Sequence, residues 1–164
     1  MHFSVTKKEY PMARFSEFAL LSIPAQAAIF IRRHCASPAE FPEFIGGSFQ
    51  ALSEYLAEAG ELMTDFPYVA YQPENGGFMV EAGFTVPRVL SAKGDITSGL
   101  VLGCKAVMCM YLGSYEGMEP VYGEMAAWSD AAGLRQTGKM YEYYYNGPDT
   151  PPEGFLIRIL MPVE

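Results

Sequence analysis

"FQALSEYLAEAG" at residues 49–60 and "YGEMAAWSDAAG" at 122–133 are two writings of one pattern. Phe49 falls on Tyr122, Leu52 on Met125, Tyr55 on Trp128 and Gly60 on Gly133. The match continues without a gap, placing Tyr68 on Tyr141 and Tyr71 on Tyr144. After a loop slightly longer in the second half, "GFMVEAGFTV" at 77–86 falls on "GFLIRILMPV" at 154–163. Upstream, "AIFIR" at 28–32 matches "AVMCM" at 106–110. A hydrophobic pattern written twice encodes one supersecondary unit twice, and neither copy can bury its apolar face alone.

Each unit reads strand, helix, strand, strand. Helical spacing links Phe49, Leu52, Leu56 and Ala59, then Tyr122, Met125, Trp128 (or Ser129) and Ala132. Both helices run into a glycine suited to a left-handed C-terminal cap, and Pro120 sits near the start of the second. "YVAYQ" and "MYEYYY" are aromatic-rich and strand-like. "PENGG" and "NGPDTPPEG" join them to the final strands as hairpins. The predicted class is α+β: a duplicated strand–helix–strand–strand module with pseudo-twofold symmetry, one antiparallel sheet, two main helices and a central cleft where matched elements meet. The chain divides into an N-terminal extension (1–20), a first repeat (21–87), a polar connector (88–98) and a second repeat (99–164), all within one domain of residues 1–164.

Composition bounds the function. Half of the 164 residues are hydrophobic, enough for a sizeable core. The net charge of −8, without any Lys/Arg run, argues against direct binding of nucleic acid by this chain and favours cationic or neutral partners. The N-terminus lacks the apolar core of a signal peptide, and runs such as "AQAAIFI" are too short to span a bilayer, so a cytoplasmic protein is expected. Cys35, Cys104 and Cys109 read as reduced thiols, the last two in the core. Two histidines, His2 and His34, give no metal-ligand spacing, and no metal or cofactor is expected.

The chemistry concentrates in "KMYEYYYNGP" at 139–148. Strand alternation splits this run, with Met140, Glu142, Tyr144 and Asn146 on one face and Tyr141, Tyr143 and Tyr145 on the other. The repeat makes Val69 and Tyr71 the counterparts of Glu142 and Tyr144, so Glu142, Tyr144 and Tyr71 are expected on one surface. That surface looks either into the cleft or out to water. Trp128 and Tyr55 either close over it or fill core volume. Tyr111 and Tyr115 flank the turn "GSYEG" and either line the cleft mouth or cover the sheet end. Glu116, inside that turn, is expected in solvent. Arg158 lies on the last strand, within reach of Glu142 across the hairpin.

"YLGSYEGMEPVYGEMAAWSDAAGL" followed by "YEYYYNGPDTPPEGFLIRILMPV" resembles the GyrI-like small-molecule-binding domain, the effector-binding domain of AraC- and MerR-type multidrug-sensing regulators. "PAQAAIFIRR" and "FMVEAGFTVP" resemble the corresponding pieces of its first half. The resemblance covers roughly residues 22–164. It implies the duplicated fold, a small-molecule ligand (often cationic and aromatic) in the central cleft, an acid that falls on Glu142, and aromatic neighbours that stack on the ligand. The family's "GPYEG" element stands here as "GSYEG", with Ser114 in place of proline leaving the turn less constrained. No helix-turn-helix unit accompanies the domain, so the chain resembles stand-alone members. Some of these protect cells by binding toxins, alone or beside a partner regulator; others are similar to hydrolases that open cyclopropane-containing natural products with a cleft Glu. The resemblance thus leaves three functions: a small-molecule sensor or protector, a hydrolase with Glu142 as catalytic residue, and an interaction module that inhibits another protein.

Overall fold

The computed structural model describes residues 16–164. Its elements run β1 (Ala19–Cys35), α1 (Phe41–Ala59), β2 (Tyr68–Glu74), β3 (Gly77–Thr85), β4 (Thr97–Leu112), α2 (Met118–Ala131), β5 (Met140–Tyr144) and β6 (Leu156–Val163). This is an α+β fold with two helices on an antiparallel sheet. Single 3₁₀ turns precede α1, α2 and β6. The β2–β3 hairpin turns on Asn75 and Gly76, both at positive φ (48° and 76°), the pairing a two-residue type I′ turn requires. Gly60 caps α1 in the left-handed conformation at φ 66°.

The strand order is β1-β3-β2-β5-β6-β4, and β1 also pairs with β4, which closes the sheet into a ring. Closure follows from length. β1 is 17 residues long, enough to pair with β4 over Ala19–Phe30 and with β3 over Ala28–Cys35. At the centre, β2 and β5 pair with Val69 opposite Glu142 and Tyr71 opposite Met140.

The two faces of the sheet bury different cores. On one, α1 packs Phe44, Leu52 and Leu56 against Ile29, Val69, Val80 and Phe84. Beside it, α2 packs Met118, Val121 and Met125 against Val107, Cys109, Ile157 and Ile159. Each fully buried side chain of this kind, Leu52 among them, contributes about 1.5–3 kcal/mol. Inside the ring lie Phe30, Tyr68, Ala70, Tyr141, Tyr143 and Leu160.

Several expectations need correction. α1 begins at Phe41, eight residues before Phe49, because Gly46 and Gly47 interrupt the apolar spacing without breaking the helix. β1 and β4 are far longer than the matched pentapeptides. Pro24 sits opposite Gly103 at a position where the β1–β4 ladder skips a pair, and its missing N–H costs no bond there. The connector is not wholly polar, since Leu90 and Ile96 are buried with α1 and Thr97 already belongs to β4. Cys109 is buried, whereas Cys104 is half-buried. Of the N-terminal extension, residues 1–15 lie outside the described residues, and Ala19 and Leu20 start β1.

Candidate ligand-binding site

Between α1 and α2, above the paired β2 and β5, lies a cavity of ≈ 1510 Å³. Its floor is Tyr71, Met140, Glu142 and Tyr144. α1 supplies Phe41, Ile45 and Phe49, and α2 supplies Met118, Glu119 and Tyr122. Tyr115 and Phe155, stacked at 4.7 Å between ring centroids, stand at one side, with the loop of Tyr145–Pro148 beyond. That loop is held by Asn146, whose amide donates to the Gly154 carbonyl (2.7 Å) and whose side-chain oxygen accepts from the Leu156 amide (3.1 Å). Ser114 adopts φ −73°, a value proline would also take, and Tyr111 donates to its carbonyl, so the turn holds its shape without the proline.

Glu142 is only 8% exposed. Its carboxylate accepts from the Tyr122 hydroxyl on one oxygen and from the Tyr144 hydroxyl (2.6 Å) on the other. The Tyr71 hydroxyl lies 3.2 Å from that of Tyr144 and extends the chain of phenols. Phe41 leans on Tyr71 at 5.2 Å and Phe49 on Tyr144 at 6.5 Å, fixing the rings that fix the acid. Burial pushes the Glu142 carboxyl above its ordinary value, and the phenol hydrogen bonds recover only part of the shift. Burial and the neighbouring acid hold Tyr71, Tyr122 and Tyr144 far above the ordinary phenol range, so they stay protonated donors.

A second buried acid gives the contrast. Glu81, 2% exposed, faces the ring interior. It accepts from Tyr68 (2.7 Å), pairs with Arg32 at 2.7 Å and has Lys139 at 3.9 Å. Its charge is compensated within the fold. The cavity around Glu142 is lined, among the described residues, by no Lys, Arg or His. One buried carboxylate is paired with bases of the fold, and the other meets only phenol hydroxyls.

The structure brings Glu142, Tyr144, Tyr71 and Tyr115 together. It does not bring Trp128, Tyr55 or Tyr111 to the cavity. α2 buries Ser129 rather than Trp128, whose ring turns outward against Phe18 at 6.1 Å. Tyr55 donates to the Ser91 carbonyl at the far end of α1. Tyr111 is buried in the α2 core. Nor does Arg158 meet Glu142. The register sets Arg158 opposite Tyr143 and Ile159 opposite Glu142, so Arg158 lies on the other face, over the Tyr143 ring (4.4 Å) and bonded to Asp65. Glu116 is exposed. Tyr122 escaped the sequence reading because helical spacing reads it as core. The available signal was its match to Phe49, since a phenol replaces a phenyl just where an acid replaces Val69.

The model of the GyrI-like small molecule binding domain matches residues 16–164. The chain belongs to the GyrI-like family. Among solved structures, this GyrI-like domain is similar to the EcmrR C-terminal domain, with a TM-score of 0.77 and 19% identity over 90% of this chain and 97% of that one. It matches EcmrR in a DNA complex with a TM-score of 0.76 and 19% identity over 90% of this chain, but spans only 57% of EcmrR there. A hydrolase from Listeria innocua aligns with a TM-score of 0.70 and 15% identity over 96% of both chains. SAV2435 bound to tetraphenylphosphonium aligns with a TM-score of 0.62 and 16% identity over 91% of this chain and 94% of that one. At such identities the likeness is one of fold. None of the curated proteins compared matches the sequence. Among the described residues no helix is long and apolar enough to cross a membrane.

Proposed function

We infer that the domain binds small aromatic cations, with Glu142 as counter-charge and Tyr71, Tyr115, Tyr122 and Tyr144 among its walls. The observation that carries this reading is a nearly buried carboxylate, held by phenols, in an aromatic cavity lined by no described base. A cation restores the balance that burial upsets, and ring faces add about 0.5–2 kcal/mol each. The likeness to a protein solved with tetraphenylphosphonium supports the same class. The biological role that fits is cytoplasmic sensing or sequestration of toxic compounds, alone or beside a partner regulator. A thermal-shift series with tetraphenylphosphonium and rhodamine tests the site. Wild type should be stabilised and Glu142→Gln should not; equal responses would remove Glu142 from the site.

The reading includes a duplicated module with its pseudo-twofold axis at the site, and the strand registers support it. Under the match that sends Tyr68 to Tyr141 and Gly77 to Gly154, the pair Ala28↔Thr85 becomes Ala106↔Pro162, and Tyr71↔Val80 becomes Tyr144↔Ile157. The central pair Val69↔Glu142 maps onto itself. The axis of that reading passes between Val69 and Glu142, so Glu142 stands beside it, where a single acid can serve both halves of a cleft.

The raised carboxyl also favours a second reading, a hydrolase in which Glu142 moves a proton to or from water. Mass spectrometry of a strained-ring compound incubated with wild type and Glu142→Gln separates the two. Product formed only by wild type supports hydrolysis, whereas binding without product supports the binding protein.

A further inference from the structure

The four stretches that supply most of the cavity lining, residues 36–49, 66–74, 111–126 and 140–155, contain no Lys, Arg or His. They do contain acids, and on the α2 side, Glu142 aside, these are Glu116, Glu119, Glu124, Asp149 and Glu153, of which Glu124 is half-buried and the others are exposed. Glu119 alone of these five lines the cavity. It lies in the first turn of α2, three residues before Tyr122, so the two share a helix face about 4.5 Å apart along the axis. Tyr122 reaches down to Glu142, while Glu119 stays at the rim and makes no ion pair with a described residue. The cavity thus carries two carboxylates in series, one nearly buried and one solvated. At ≈ 1510 Å³ it is also larger than the roughly 300–1,000 Å³ usual for a site filled by one drug-sized molecule.

We propose that the preferred ligand is an aromatic dication whose ring system rests against Glu142 and the tyrosines and whose second charge, on a side arm, is met by Glu119 at the rim. This rests on the cation-binding reading above and adds a specificity determinant to it. A monocation satisfies Glu142 and leaves the rim unused. A dication with the right arm uses both, and a lining that holds carboxylates and, among the described residues, no base raises its local concentration at the mouth.

Ethidium and propidium form a matched pair, sharing one ring system and differing in the quaternary ammonium arm of propidium. Their Kd values are measured by fluorescence titration against wild type, Glu119→Gln, Glu119→Lys and Glu142→Gln at physiological ionic strength. There a rim charge acts over about 8 Å. Propidium is expected to bind wild type more tightly than ethidium. Glu119→Gln should weaken propidium about two- to fivefold, the range for a solvated ion pair, and ethidium distinctly less. Glu119→Lys should weaken propidium further, and Glu142→Gln should weaken both dyes. If Glu119→Gln moves both dyes equally, or neither, while Glu142→Gln still weakens both, the dication assignment falls and the cation site stands. If neither dye binds wild type, the cation reading falls and the dication assignment with it.

Discussion

Replacing Glu142 by glutamine keeps the shape of the side chain and removes its charge, so it isolates what burying that charge costs the empty protein. The folded state holds the Glu142 proton more tightly than the unfolded chain, because burial outweighs the phenol hydrogen bonds and lifts the carboxyl above its ordinary value of 4.5. Between the ordinary value and the raised one, the folded state therefore binds more protons than the unfolded state. Stability must fall as pH rises through that window. The contribution is fully present below the unfolded value and lost by the time pH passes the folded one. Its slope cannot exceed about 1.4 kcal/mol per pH unit, the value for one proton. Glutamine has no such term, so the stability of Glu142→Gln relative to wild type should increase with pH until Glu142 is fully ionised and then level off. Urea denaturation of both proteins from about pH 5 to about pH 8, without ligand, reads this difference as a function of pH. A flat difference would mean that the hydrogen bonds from Tyr122 and Tyr144 balance burial, and wild type gaining on the variant as pH rises would mean that they outweigh it; in either case the argument for an uncompensated charge would fail.

Further outcomes follow from the same geometry. Tyr122→Phe removes one of the two hydroxyls donating to Glu142 and raises its carboxyl further; the pH at which tetraphenylphosphonium affinity reaches half its maximum should move upward, as isothermal titration across pH would record. Gly83→Ala places a Cβ 2.4 Å from the Tyr68 hydroxyl and 2.5 Å from its ring; with Tyr68 fully buried, urea midpoints should report a loss of about 1–3 kcal/mol. Arg158→Ala breaks the bond to Asp65 and the packing over Tyr143 on the face away from the cavity; it should lower Tm and leave tetraphenylphosphonium affinity within twofold of wild type.

Strand alternation in "KMYEYYYNGP" was enough to place Glu142 beside Tyr144 and away from Tyr141 and Tyr143, because a period of two allows one assignment of faces. The helix ends were legible too, since Gly60 marks a conformation other residues avoid. Ring closure was not. It depends on β1 and β4 running through Pro24 and Gly103, residues that read as interruptions in isolation and are harmless where the ladder skips them. The fate of aromatic residues on the helices was also hidden. Helical spacing gives the apolar stripe to within one residue, and that residue decides whether Trp128 or Ser129 is buried. It cannot distinguish a core ring from a cavity ring, which is why Tyr122 passed for packing and Tyr55 stayed open between cavity and core. The missing cation at Glu142 is a property of the assembled cavity, since the sequence puts Arg158 within reach and only the register turns it away.

The most direct test is a crystal soaked with tetraphenylarsonium, whose arsenic marks its own position by anomalous scattering. The account predicts one strong peak between α1 and α2, over Glu142 and bounded by Tyr71, Tyr122 and Tyr144, absent from crystals of Glu142→Gln. A peak elsewhere, or one that persists at the same place in the glutamine variant, would contradict it.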